Sequence, residues 1–236
     1  MLRSGGGVNG STILQMVADD EELGAMRTLV LKAAVGVVTA VLGSTAVLVG
    51  LLSQRGASRV THLWGKVCLK VAGAPLTVEG LEHIETGARY VIMSNHESSL
   101  DIVTLLTALP ASLEPRFLAK KSLFSIPFLG WAMKSAGFVP VDREDRSTAA
   151  AMLARTLGEI EKGGSPLVFP EETWSTDGAL LPFARGGFLI AIKTGLPILP
   201  VGLEGPRLVL PPNEGIVRPG PVIVRIGESI PTEGLG

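Results

Sequence analysis

The stretch Ser94–Asp101 reads "SNHESSLD" and sets a histidine five residues ahead of an aspartate, directly after the strand-like run "YVIM". The chain has only three histidines, at 62, 83 and 96, so the placement of this one is informative. An imidazole titrates near neutrality, and a carboxylate beside it can hold one ring nitrogen as a donor while the other serves as a base. On one continuous helix, five residues at about 100° each would leave the two side chains about 140° apart. They meet only if His96 sits on a turn before a helix and Asp101 lies in its first turn, with Ser98 and Ser99 as candidate caps. The competing reading is a turn that caps a helix and does no chemistry. No serine occupies a glycine-flanked elbow of the hydrolase kind, so a base at 96 would act on a substrate hydroxyl.

The elements that must position this pair follow from the pattern after Ala74, where strands and helices alternate. "YVIMS", "RFLAK", "FVPV", "PLVFP", "PILPVGL" and "PVIVRIGE" read as short apolar strands. Between them, a helix begins near Ser98 or Ser99 and stops before Pro110, and a short one covers "IPFLGWAMKSAG". Another runs from Arg146 to Lys162, with Met152, Leu153, Thr156, Leu157 and Ile160 on one face and Gly163 and Gly164 at its end. A further helix covers "GGFLIAIKTG". This alternation predicts an α/β fold: a central, mostly buried sheet flanked by helices, preceded by a membrane-associated helical segment.

That segment is read from Ala33–Leu52, "AAVGVVTAVLGSTAVLVGLL", which carries no charge over 20 residues. The length matches the ~20 apolar residues that cross a bilayer core; the alternative is a buried helix of a soluble domain. The acids at Asp19–Glu22 stand where a signal peptide would be basic. From Gly56 to Gly73, Val60, Leu63, Trp64, Val67 and Val71 recur at helical spacing with Arg59, His62, Lys66 and Lys70 largely on other faces. Such a basic amphipathic helix suits a lipid–water interface, or equally the surface of the core. The expected division is a flexible tail over 1–28, membrane-anchoring helices over 29–73 and the α/β domain over 74–236. Arg55, Arg59, Lys66 and Lys70 follow the apolar run, so positive-inside counting predicts that domain on the cytoplasmic side; a helix pair dipping into one leaflet fits as well.

Composition narrows the function classes. With 46% hydrophobic and 18% charged residues and a net charge of -1, the chain lacks the basic excess of a nucleic-acid binder. One cysteine and three scattered histidines predict neither a disulfide nor a metal cluster.

The block "NHESSLD" resembles the NHxxxxD signature of the PlsC-like glycerolipid acyltransferases, typified by lysophosphatidic acid acyltransferases. The block "KKSLFSIPFLGWAMKSAGFVPVDR" keeps Lys120, Leu123, Pro127, Gly130, Gly137 and Arg143 at the family's spacing; "FPEETWS" is similar to FPEGTRS, and "LPVGL" to an apolar strand block. The resemblance implies transfer of a fatty acyl group from acyl-CoA or acyl-carrier protein to the hydroxyl of lysophosphatidic acid, forming phosphatidic acid at a bilayer. It implies His96 as base, Asp101 as its orienting acid, no metal and no cofactor beyond the thioester co-substrate. Arg143 is the implied phosphate contact, with Lys120, Glu171 and Thr173 as further candidates for the acceptor pocket; Glu171 and Thr173 have turn-ordering as their alternative. Backbone amides of the third block are the expected oxyanion donors. The chain departs from the pattern at Glu172, where the family has glycine, and at Trp174, where it has arginine. Those departures keep open another lyso-lipid acceptor, such as a lyso-ornithine lipid, or a silent lipid-binding module.

Overall fold

The computed structural model describes residues 10–142, 149–175 and 178–234. Two long helices come first, α1 (Gly10–Gly50) and α2 (Gln54–Ala72). Helix α1 starts inside the stretch expected to be a flexible tail. That stretch contains no proline and is rich in Leu, Met, Ala and Glu, all good helix formers. Ser53 caps α2 by accepting from the Gly56 amide at 3.1 Å, and Gly73, at φ 68°, ends it in the left-handed conformation. The buried stripe of α2 consists mostly of small residues, Ala57, Ser58, Thr61, Gly65, Cys68 and Ala72, joined by His62 and Leu69. The larger apolar residues of its predicted face stay half-buried (Val60, Trp64, Val67, Val71) or exposed (Leu63). Small side chains let α2 approach the domain closely, and Arg55, Arg59, Lys66 and Lys70 remain in the open.

Among the described residues the sheet has seven strands: β1 (Leu76–Glu79), β2 (Val91–Ser94), β3 (Pro115–Lys120), β4 (Val139–Val141), β5 (Ser165–Val168), β6 (Ile198–Glu204) and β7 (Val222–Ile226). Their order is β1-β7-β6-β2-β5-β3-β4, parallel except for the antiparallel β6–β7 pair. Five further helices flank it: α3 (Leu100–Ala108), α4 (Leu129–Ser135), α5 (Ala149–Glu161), α6 (Gly186–Thr194) and α7 (Pro206–Val209). Strand β1, which the sequence patterns did not single out, completes the edge beside β7.

Alternation along β2 explains how the sheet is covered. Ile92 joins a cluster with Leu105, Leu106, Phe117, Met133 and Leu199 on the α3–α4 face. Val91 and Met93 point the other way, toward Ile160, Ile190 and Ala191 of α5 and α6. Both faces are therefore buried, which is why the parallel strands read as continuous apolar runs. In open α/β sheets ligands collect outside the carboxyl ends of the strands, and β2 ends at Ser94, two residues before His96.

Candidate active site

His96 lies on the turn between β2 and α3, and Asp101 occupies the first turn of α3. This is the arrangement in which the pair can meet, and His96 Nδ1 stands 2.7 Å from Asp101 Oδ2. The same oxygen accepts from the amides of Glu97 at 2.6 Å and Ser98 at 3.0 Å. Ser98 Oγ accepts from the Leu100 amide at 3.1 Å and donates to the Leu210 carbonyl, whereas the Ser99 side chain makes no cap. Of the two serines proposed as caps, Ser98 therefore does the work together with Asp101. A carboxylate can only accept, so Nδ1 carries the proton and Nε2 keeps its lone pair free. About a tenth of the His96 side chain stays open to solvent, while the Asp101 side chain has no exposure. Asp101 Oδ1 is buried without a hydrogen-bond partner. Burial pushes the Asp101 carboxyl up, and the His96, Ser98 and Glu97 donors pull it back only in part.

Two rings and two latches hold the imidazole. Phe169 stacks on it with centroids 4.1 Å apart at 13°, and Trp174 meets it edge-on at 5.6 Å and 68°. Asn95 fastens the turn to β6: its Nδ2 donates to the Leu203 carbonyl at 3.0 Å, and its Oδ1 accepts from the Leu203 amide at 2.7 Å. Glu171 accepts from the His96 amide at 2.8 Å through Oε1 and from the Leu181 amide at 2.7 Å through Oε2. Glu171 thus ties the third block to the turn of the first and to Leu181. The Glu172 amide donates to the Phe169 carbonyl at 3.0 Å, so that member of the block is not free for an oxyanion.

The remaining candidates are dispersed. Lys120 ends β3 and is exposed, as is Thr173. Arg143 lies outside the described residues. Glu172 adopts φ 59°, so this position does demand the left-handed backbone that the expected glycine would supply freely. Phe169 and Asn95 were not singled out from the sequence. Asn95 could have been, as the first residue of the signature; nothing local marks Phe169 as the floor under the ring.

Two cavities flank the turn. One, of about 200 Å³, is almost wholly apolar and lies between α1, α2, α3 and α4, with Thr39, Trp64, Ser99, Ile102, Leu106 and Met133 in its wall. The other, of about 680 Å³, lies over β2, β6 and β7 and includes Asn95, Glu97, Phe183 and Arg225. Burial pushes the Glu97 carboxyl up there, opposed chiefly by the Arg207 amide.

A model of the acyltransferase family matches residues 75–204, more than half the chain and the whole of the His96–Asp101 region. The chain belongs to the acyltransferase family. It is 37% identical over 185 residues to a chloroplastic 1-acyl-sn-glycerol-3-phosphate acyltransferase of Brassica napus, covering 76% of this chain and 53% of that one. With the human 1-acyl-sn-glycerol-3-phosphate acyltransferase alpha it shares 32% over 166 residues, 69% of this chain and 57% of the relative. This family member thus spans about half the length of the curated relatives it matches. The crystal structure of the 1-acyl-sn-glycerophosphate acyltransferase PlsC from Thermotoga maritima superposes with a TM-score of 0.80 at 26% identity, covering 92% of this chain and 88% of that one. The α/β architecture and the kinship with PlsC-like enzymes expected from the four blocks are thereby established.

Proposed function

We propose that this chain transfers a fatty acyl group from a thioester, acyl-CoA or acyl-carrier protein, to the hydroxyl of lysophosphatidic acid at a membrane surface, giving phosphatidic acid. The observation that carries the proposal is the 2.7 Å contact between His96 Nδ1 and Asp101 Oδ2, inside the region matched by the family. The acceptor is taken from the activity named for the relatives and for the Thermotoga neighbour.

The chemistry follows from the geometry. The acceptor oxygen attacks the thioester carbonyl carbon as its proton passes to His96 Nε2. The tetrahedral intermediate then expels the thiol sulfur, which takes that proton and leaves as free thiol. In the transition state His96 becomes cationic beside a fully buried carboxylate. Asp101 is poorly solvated and half unsatisfied, so its charge is stabilised more by imidazolium than by neutral imidazole. That difference between ground and transition state is what accelerates the step. A general base of this kind contributes about 10²–10⁴-fold. Phe169 and Trp174 restrict the ring to one orientation. The apolar cavity reaches Ser99, three residues from the base, and suits the acyl chain. Lys120 and Arg143 are the cations for the phosphate, with Thr173 as a further contact of the acceptor pocket.

The helix span Met26–Gly50 is long and apolar enough to cross a membrane, and only 11% of its most apolar window is buried inside the protein. A core helix would be covered, so the exposure favours lipid as its environment. The cations of α2 then set the domain on the cytoplasmic side. The test is to supply the purified chain with lysophosphatidic acid and labelled acyl-CoA or acyl-carrier protein. Labelled phosphatidic acid is the expected product. Labelled free fatty acid alone would show a thioesterase, and transfer to other lyso-lipids but not to lysophosphatidic acid would overturn the acceptor.

A further inference from the structure

A second apolar cavity, of about 290 Å³, adjoins the one that suits the acyl chain. It is lined by α1, α2, the start of α3 and the segment 210–217, with Val35, Cys68, Leu100 and Leu210 in its wall. Trp64, Ser99 and Val103 line both cavities. Ser99 and Val103 stand four residues apart and share a face of α3, so the two cavities meet along that face. Trp64 comes to the same boundary from α2, and its Nε1 donates to Thr39 Oγ1 of α1 at 2.9 Å. Helix α1 shows the same partition. At about 100° per residue, Val35, Thr39 and Leu42 fall within about 60° of one another. Val35 lines the second cavity, Thr39 and Leu42 line the first, and Thr39 holds the indole. The exposed Val37, Val41 and Leu48 lie about 160–180° round from Thr39. One face of α1 therefore covers both cavities while the opposite face stays open.

The chemistry of the walls suits hydrocarbon. The Thr39 hydroxyl accepts from Trp64, and the Thr61 hydroxyl donates to the Ser58 carbonyl at 2.7 Å, so both are engaged within the protein. Burial pushes the Cys68 thiol up to about 12, which keeps it protonated and makes it a small apolar wall residue. Lys32 is the one charged residue in the second cavity's wall among the described residues, and it is exposed. This cavity is also tied to the His96–Asp101 turn. Ser98 Oγ donates to the Leu210 carbonyl at 2.6 Å, and the Ser98 amide donates to Asp101 Oδ2 at 3.0 Å. A single residue thus links the cavity wall to the carboxylate beside His96.

A diacyl product carries two alkyl chains on neighbouring glycerol carbons, and acyl transfer sets the second chain beside the first. Two apolar cavities that part from a shared wall at the start of α3 match that shape. We propose that the second cavity takes the alkyl chain that the lysophosphatidic acid already carries, and that Trp64 is the septum keeping it apart from the incoming acyl chain. The proposal rests on the acyl-transfer function proposed for the site. With the first cavity holding the transferred chain, the second falls to the acceptor, and an exposed lysine on its wall suits an anionic lipid. Seating the acceptor chain there keeps its hydrocarbon out of water while the headgroup hydroxyl is held at the base.

The test measures KM for lysophosphatidic acids of short and long chain, and transfer rates from acyl-CoA donors of increasing length. Val35→Trp fills the second cavity and Leu42→Trp the first; both positions are half-buried. In full-length variants whose melting temperatures match the parent, Val35→Trp should raise KM for the long-chain acceptor about tenfold, the scale of about one or two methylene groups in an apolar pocket. The short-chain acceptor and the donor profile should not change. Leu42→Trp should shift donor preference to shorter chains and leave the acceptor profile alone, and Trp64→Ala should blunt both preferences. An altered donor profile in Val35→Trp would mean one continuous donor channel and overturn the proposal. Equal losses at every chain length, or no change at any, would overturn it too. A second measurement needs neither turnover nor a variant. The parent chain is irradiated with lysophosphatidic acid bearing a diazirine at its chain end, and the labelled residues are identified. Label on Cys68 and Val71 that unlabelled lysophosphatidic acid displaces is expected; label on Met133 of the first cavity instead, or no displaceable label, would overturn the proposal. Displaceable label on Cys68 and Val71 without acyl transfer would uphold the chain site and overturn the acyltransferase function.

Discussion

At the amino-terminal end of β3, Arg116 is buried between Glu114 and Glu159; at the carboxyl end of β2, Asp101 is buried beside His96. Both clusters place charge inside the protein, at opposite ends of one parallel sheet, and they treat it differently. Arg116 Nη2 bonds Glu114 Oε2, and its Nε lies 3.6 Å from Glu159 Oε2. Arg55 and Gln54 of α2 close the same cluster at 2.6 and 2.8 Å, and Lys162 reaches Glu159 at 2.7 Å. Nε and Nη1 of the guanidinium have no hydrogen-bond partner among the described residues, but the Glu114 and Glu159 carboxylates lie beside it. Burial pulls the Arg116 pKa down, and the two glutamates hold it up. This cluster is compensated in the resting protein and ties α2 to the domain. Asp101, in contrast, has only the His96 ring as an ion-pair partner among the described residues, and that ring is cationic only when protonated. A compensated cluster stabilises the fold. In the proposed reaction the other would gain its counter-charge as His96 takes a proton.

Substitutions at the two ends should separate these roles. Asp101→Asn keeps an oxygen for the Glu97 and Ser98 amides but loses the charge and the tautomer control. Turnover is expected to fall about 10³–10⁴-fold, while the melting temperature at pH 7 holds or rises. The sign follows from the raised folded pKa: the stability linked to protonated Asp101 is fully present below its unfolded value near 4 and is lost as pH rises through the higher folded value. Lowering the pH through that folded value should therefore shrink the stability gap between the two proteins. A gap that widened instead would mean that burial does not dominate at Asp101.

Arg116→Met should do the reverse. It leaves Glu114 and Glu159 without their buried partner, a loss of about 3–5 kcal/mol, measured by urea denaturation. Turnover per folded molecule should stay near the parent value, and a specific loss of kcat would contradict a purely structural role for that end of the sheet. The smallest effect belongs to the third block. Glu172→Gly removes a non-glycine residue from φ 59° and should stabilise the chain by about 1 kcal/mol. No gain in the melting temperature would mean that the Glu172 side chain makes a compensating contact.

The His96–Asp101 pair was legible because its geometry is local. His96 and Asp101 are five residues apart, and only one turn-then-helix arrangement brings them together. The α/β class was legible for the same reason, since buried parallel strands and their helices leave periodic runs. What escaped was long-range. The Asn95–Leu203 latch joins residues 108 apart in the chain, and the amide of His96 meets Glu171 across 75. Phe169 under the ring carries no local pattern, because its place is set by what packs against it. The conflict at Glu172 was visible beforehand as a glutamate where glycine was expected, and the left-handed backbone there gives its physical content.

The central claim is that His96 is the base of an acyl-transfer reaction. The most direct measurement is transfer of labelled acyl groups from acyl-CoA to lysophosphatidic acid by purified His96→Ala protein whose melting temperature matches the parent. Loss of a general base predicts activity lower by about 10²–10⁴-fold. A folded variant that kept more than about a tenth of the parent rate would remove His96 from the chemistry.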